Sequence, residues 1–82
     1  MRVPPTSAPS SFFERRFRTP VRENLMEIQF DPRALPKQCT YYSVLDGVAR
    51  SRAIDLDDGH AAHGVVLDFG PGCAGIRWEW PD

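Results

Sequence analysis

Turn-forming residues interrupt this chain at short intervals, and their spacing limits the elements that can lie between them. The interruptions are four clusters that contain Pro or Gly: Asp31-Pro32, Asp46-Gly47, Asp57-Asp58-Gly59 and Gly70-Pro71-Gly72. Gly supplies backbone angles that other residues avoid and Pro presets φ, so each cluster favours a reversal of the chain. Asp46-Gly47 also tolerates the positive φ angles of a tight hairpin turn. None of the intervening segments indicates a crossover helix, and the chain is therefore predicted to be mainly β.

Five segments between these turns carry strand patterns, either apolar-polar alternation or a run of β-branched and aromatic residues. They span residues 26–30, 39–45, 48–56, 64–69 and 74–80. In the fourth segment, alternation predicts that Val65, Leu67 and Phe69 share one face. In the fifth segment, it predicts that Trp78 and Trp80 share one face. Short turns between successive strands indicate one small antiparallel five-strand meander.

A single sheet of this size has one hydrophobic face and two open edges, and another surface must cover them. The chain has 82 residues, of which 41% are hydrophobic. This length suits one small domain that buries a limited core. The cover could be the N-terminal arm, the segment 31–38, a second copy of the chain or a partner.

Composition and charge change at Met26. Residues 1–25 hold five Arg and two Glu, a net charge of +3, together with several Pro. Residues 26–82 hold five basic and nine acidic residues, a net charge of −4. We therefore expect a Pro/Arg-rich flexible arm over 1–25, disordered or partly helical, and a small β-sheet domain over 26–82. The break also leaves Met1 and Met26 open as the start of translation.

One helical pattern lies within the arm. Ser11 and Glu14 have the spacing of a capping box. Phe13 and Phe17 are four residues apart and would share a helix face. Because Thr19-Pro20 ends any helix here, the pattern predicts at most two turns.

Several segments of 26–82 resemble a small bacterial family, the domain of unknown function numbered twenty-two eighty-three. They are Met26-Glu27-Ile28-Gln29-Phe30-Asp31-Pro32, Val48-Ala49-Arg50-Ser51, Asp58-Gly59, Val65-Val66-Leu67-Asp68 and Ala74-Gly75-Ile76-Arg77. The resemblance covers most of 26–82 and none of 1–25. It implies partner binding, because proteins similar to this family resemble the antitoxin partners of small RelE-like toxins. It implies no catalytic residue.

Acidic and aromatic side chains in 26–82 are candidates for binding such a partner. The set is Tyr42, Asp55, Asp57, Asp58, Arg77, Trp78, Glu79 and Trp80. An acidic surface attracts and masks a basic RNA-binding surface, and Trp and Tyr supply large rigid contact area. We therefore expect a non-enzymatic, antitoxin-like interaction module that binds a basic toxin-like partner or a second copy of itself. Trp78 and Trp80 are equally candidates for the core.

Nucleic-acid binding through the arm is the alternative. The arm carries Arg15, Arg16, Arg18 and Arg22 among the aromatic residues Phe12, Phe13 and Phe17. Arginines contact phosphates and aromatic rings stack on bases. The acidic remainder of the chain would repel a polyanion beyond the arm.

The remaining motifs do not indicate an enzyme, a cofactor or a metal site. Asp55-Leu56-Asp57-Asp58-Gly59 departs from the spacing of a calcium loop. His60 and His63 would share one side of a helical turn, but two histidines without a firm third ligand make a weak metal site. Cys39 and Cys73 form no C-x-x-C pair, and we expect both to be reduced. The sequence has no signal-peptide pattern and no bilayer-length apolar run, so we expect a cytoplasmic protein without membrane contact.

Overall fold

Residues 2–3 and 12–81 are described by the computed structural model, and they contain β-strands and no helix. The strands are β1 (Arg2–Val3), β2 (Phe12–Phe17), β3 (Val21–Phe30), β4 (Gln38–Leu45), β5 (Val48–Ile54), β6 (Ala61–Phe69) and β7 (Gly72–Glu79). The prediction of a mainly β chain is confirmed. The predicted count of five is short, because the described residues form six long strands and the two-residue β1.

The strands form two sheets rather than one meander. Sheet A has the order β1-β3-β6, and sheet B has the order β2-β7-β4-β5. All pairs are antiparallel except β1 with β3. Successive strands lie in different sheets at every step except from β4 to β5. Only the β4–β5 hairpin keeps the predicted neighbour, and its turn has the positive φ angles expected, 52° at Asp46 and 77° at Gly47.

Part of the predicted arm is folded into the sheets. The helix predicted near Phe13 is wrong, because Phe12–Phe17 is a strand that pairs with β7. Phe13 and Phe17 share a side of a strand as readily as of a helix, and here they pack against the core. Strand β3 also runs through the predicted boundary between residues 25 and 26. The rest of the predicted arm, residues 1 and 4–11, lies outside the described residues.

The core lies between the two sheets, so each sheet covers the other. Its buried side chains are Met26, Ile28, Phe30, Cys39, Ala62, Val66, Phe69, Ala74, Ile76 and Trp78. The Phe30 and Trp78 rings meet edge to face with their centroids 5.3 Å apart. Burying a large apolar side chain stabilises a fold by roughly 1.5–3 kcal/mol. Within the described residues, the hydrophobic face of each sheet is thus covered by the other sheet of the same chain.

Strand β6 buries the face opposite to the one that the sequence pattern predicted to be buried. Val66 is buried, whereas Val65 and Leu67 point away from sheet B and are exposed. Asp68 has a positive φ of 47°, which breaks the alternation of the strand and turns Phe69 back toward the core. There the Phe69 ring lies edge-on to Phe17, with centroids 5.8 Å apart. The prediction that Val65, Leu67 and Phe69 share one face is therefore wrong.

Candidate protein-binding surface

Three large apolar side chains lie side by side on the outward face of sheet A. Leu25 is 70% exposed, Leu67 62% and Val65 40%. Leu25 is the cross-strand partner of Val65, and Leu67 is the next outward residue along β6. We call these three residues the outer patch. Contiguous exposed apolar area of this kind marks an interaction site more often than isolated exposed residues do.

Carboxylates frame the outer patch on the same face of the sheet. Glu23 is the cross-strand partner of Leu67, and Glu27 is the next outward residue after Leu25. Both glutamates are exposed. Glu27 also faces His63 across the strands, with 3.6 Å between Glu27 Oε2 and His63 Nδ1.

Asp57 extends this acidic frame through His63. Its Oδ2 lies 2.6 Å from His63 Nε2, and its Oδ1 accepts hydrogen bonds from the Gly59 and Ala61 amides at 2.8 and 2.9 Å. The Ala61 amide first, and then His63, lower the pKa of the Asp57 carboxyl below its ordinary value. Asp57 therefore stays ionised to lower pH than an ordinary aspartate, and it fixes the turn that leads into β6.

The acidic residues predicted from the sequence are not gathered on one surface. Asp55, Asp57 and Asp58 lie in the connection between β5 and β6, and all three are exposed. Glu79 lies at the end of β7 on the outward face of sheet B, and its backbone carbonyl accepts a 2.7 Å hydrogen bond from the Lys37 amide. Of this set, Asp57 alone has a described contact, through His63, to the frame of the outer patch.

The predicted aromatic residues also separate. Tyr42 and Arg77 meet on the outward face of sheet B, with the Arg77 guanidinium 5.5 Å from the ring centroid. Trp78 points the other way and is 2% exposed, so it belongs to the core. Trp80 is half-buried and packs edge-on against Phe30, with centroids 6.1 Å apart. The structure therefore brings Tyr42 and Arg77 together and removes Trp78 from any contact surface.

Tyr42 is held in place by a contact that crosses β7. Its hydroxyl donates a 2.8 Å hydrogen bond to Glu14 Oε1 on β2. Burial first, and then this hydrogen bond, raise the pKa of Tyr42 well above its ordinary value, so it stays a donor. The crossing is possible because Gly75 lies beneath it, where a Cβ atom would come within 2.8 Å of the Tyr42 Oη.

The four arginines of the alternative hypothesis do not form one patch. Arg15 and Arg16 are consecutive in β2 and point to opposite sides of it. Arg15 lies 5.7 Å from the Phe13 ring centroid, and Arg16 pairs with Glu14 at 3.2 Å. Arg18 is exposed in the turn after β2, and Arg22 is exposed near the start of β3.

The candidate metal and nucleophile residues are also separated. His60 lies in a turn with a φ of 64°, whereas His63 lies in β6, so the two histidines do not share one side of a helical turn. In the described part of the chain, no three His, Cys, Asp or Glu side chains are grouped as metal ligands would be. Cys39 and Cys73 are both free thiols. Burial raises the pKa of Cys39 to about 11, which leaves little reactive thiolate at neutral pH.

Comparisons with protein-family models, curated proteins and solved structures find no significant match to this chain. Over residues 2–3 and 12–81, no helix is long and apolar enough to cross a lipid bilayer. A proposal for what this protein binds therefore depends on the surfaces of the molecule.

The sequence patterns did not predict the outer patch or the two glutamates beside it, Glu23 and Glu27. One signal was present in the alternation of Glu23, Leu25 and Glu27, which continues the strand pattern upstream of Met26. The other was the run Val65-Val66-Leu67, which offers apolar residues to both faces of one strand.

Proposed function

We propose that this chain is a non-enzymatic protein-interaction module that binds a basic partner through the outer patch. The observation that carries the proposal is the exposure of Leu25, Val65 and Leu67 side by side on a sheet face. Removing apolar area from water contributes roughly 25 cal/mol per Å², so a partner that covers the patch gains affinity from it. The chain itself leaves this face open within the described residues.

The chemistry of the partner follows from the acidic frame. Glu23 and Glu27 lie beside the outer patch, and Asp57 reaches it through His63. A partner with Lys or Arg around an apolar centre complements this arrangement, and like-charged surfaces are rejected. Rim charges of this kind chiefly raise the rate of association.

A small basic toxin is the partner that fits both this chemistry and the family resemblance of residues 26–82. In an antitoxin-like role, the chain masks the basic surface with which a RelE-like toxin contacts RNA. The outer patch supplies the apolar contact and the carboxylates supply the charge. Tyr42, Arg77 and Glu79 lie on the outward face of sheet B and are outside this interface.

Coexpression with the product of the neighbouring gene tests the proposal. We expect wild-type protein to copurify as a stable complex. A Leu25→Ser, Leu67→Ser variant should bind about 100-fold more weakly, since each leucine is expected to contribute roughly 1.5 kcal/mol on burial. Val48→Ser is the matched control, because Val48 is 54% exposed but lies on β5 in the other sheet.

Two outcomes would contradict the proposal. One is equal binding by wild type and the double leucine variant. The other is a dimer of the chain that the double variant loses, because a second copy would then be the occupant of the patch. Light scattering on the purified chain separates this second outcome from partner binding.

A further inference from the structure

The inward side of sheet B is open where β5 extends past the core. By strand register, the residues of β5 that share the inward side with Cys39 are Val48, Arg50, Arg52 and Ile54. Ile54 packs against the core, whereas Arg50 and Arg52 are exposed. The outermost strand of the sheet thus presents two cations on a side that would ordinarily carry core residues.

These arginines line an open cleft. A cavity of about 300 Å³ is bounded by Tyr41, Ser43, Arg50, Ser51 and Arg52. A second cavity of about 450 Å³ shares Ser43 and Arg50 and continues toward Leu45, Val48 and Phe69. The two together form a trough that follows β4 and β5.

In the part of the chain that the structure describes, no carboxylate forms an ion pair with Arg50 or Arg52, the two cations of this cleft. The Arg52 guanidinium lies over the Tyr41 ring, 5.4 Å from its centroid, which holds it within the cleft. Alternate residues of a strand are about 7 Å apart, so the two guanidiniums can contact two separate anionic groups.

We propose that this cleft binds a short stretch of single-stranded nucleic acid. Arg50 and Arg52 contact successive phosphates, and an unstacked base lies on the face of the Arg52 guanidinium that is turned away from Tyr41. Ser43 supplies a hydroxyl that can donate to a phosphate or a base. The site differs from the outer patch and from the arm arginines, so it stands independently of the proposed function.

The shape and the charges at its ends limit what the cleft accepts. It is an open trough along two strands, which suits an extended strand better than an enclosed small molecule. Asp46 lines one end, and Asp55 follows β5 at the other. These acids restrict phosphate contacts to the two arginines between them.

Salt-dependent binding of a fluorescein-labelled oligothymidylate or oligouridylate to the full chain tests the proposal. Two phosphate contacts on a single strand predict a slope of about −1.4 for log K against log salt. Arg50→Gln or Arg52→Gln alone should reduce the slope to about −0.7 and weaken binding roughly eightfold at about 50 mM salt. The double variant should bind with almost no salt dependence.

Controls separate this site from the others. Arg16→Gln and Arg18→Gln remove arginines of the arm and should leave the affinity and the slope unchanged. The Leu25→Ser, Leu67→Ser variant should also bind the oligonucleotide normally. Arg50→Lys with Arg52→Lys should keep the slope but lose affinity, because an ammonium cannot stack on a base as a guanidinium does.

The proposal is overturned by any of three results. The first is no binding of either oligonucleotide at low salt. The second is a slope that Arg50→Gln and Arg52→Gln leave unchanged although circular dichroism shows both variants folded. The third is binding of a mononucleotide or of duplex DNA as tightly as the single strand.

Discussion

Strands β6 and β7 are joined by a short turn, yet Leu67 of β6 faces solvent whereas Trp78 of β7 faces the core. Strand β7 lies inside sheet B, and its Ile76 and Trp78 are buried between the sheets. Strand β6 is an outer strand of sheet A, and its Leu67 points to solvent. In this molecule Leu67 lies outside the core because the adjacent Val66 takes the inward position of the strand.

The small residues on the inward side of β6 explain this reversal. A Cβ atom at Gly64 would contact Met26 Cε and Tyr41 Cδ2 at 3.5 Å and Ile76 Cδ1 at 3.6 Å. The space opposite Gly64 is thus filled by side chains from the facing strands, and a residue larger than Ala does not fit inward at this position. Val65 and Leu67, on either side of the inward-facing Val66, are left on the outward face.

Removing Trp78 tests the inward half of this comparison and should have the largest effect. Trp78→Ala leaves a cavity beside Phe30 and should destabilise the fold by about 3–5 kcal/mol, which is a large part of the stability of a small domain. Chemical denaturation followed by circular dichroism measures it. A smaller loss of unfolding free energy for Trp78→Ala than for Val66→Ala would show that β7 does not supply the centre of the core.

Gly75 tests whether close packing extends to the outward side of β7. A Cβ there would collide with the Phe13 carbonyl oxygen and crowd the Tyr42 hydroxyl, so Gly75→Ala should cost about 1–3 kcal/mol. It should also loosen β2, because the Tyr42–Glu14 hydrogen bond spans this position. Gly59→Ala is the matched control, since its Cβ would meet only Asp57 Oδ1, at 3.4 Å. Equal stability of the two variants would contradict the account of Gly75.

The sequence predicted the class of the fold and one hairpin, but not which strands pair. Asp46-Gly47 specifies its turn locally, whereas the pairing of β3 with β6 joins residues far apart in the chain, for which the sequence gives no local signal. The spacing of Phe13 and Phe17 places them on one side of a helix or of a strand equally well. This segment is a strand because its backbone pairs with β7.

Of the candidate site, Asp57 was predicted and the outer patch was not. Carboxylates in a turn are exposed whatever the sheet layout, so their accessibility follows from the sequence. The exposure of Leu67 depends on which side of β6 meets sheet B, and the burial of Phe69 depends on the left-handed conformation of Asp68. Both of these are set by tertiary packing.

Val66 and Leu67 are adjacent in β6, and they allow a buried and an exposed residue of the same strand to be compared. Val66→Ala removes two buried methyl groups and should cost about 1.5 kcal/mol. Leu67→Ala removes more apolar volume but should change stability by no more than about 0.5 kcal/mol, because Leu67 is exposed. Thermal unfolding of the two variants measures the difference. A larger loss for Leu67→Ala would show that this residue belongs to the core.

The smallest expected effect is the pH dependence contributed by Asp57. Its pKa is lowered in the folded chain, so its contribution is fully present above the unfolded pKa of about 4 and is lost as the pH falls through the folded value. The stability difference between wild type and Asp57→Asn should therefore shrink in acid. Denaturation at several pH values below about 5 measures it, and a difference that grows in acid would contradict the assignment.

Hydrogen exchange of the chain with and without its copurified partner tests most directly whether the outward face of β6 is the binding surface. We predict that the partner slows amide exchange in peptides from β3 and β6, which carry the outer patch, and leaves β5 unchanged. Slowed exchange confined to β4 and β5, with no change in β6, would contradict the central claim.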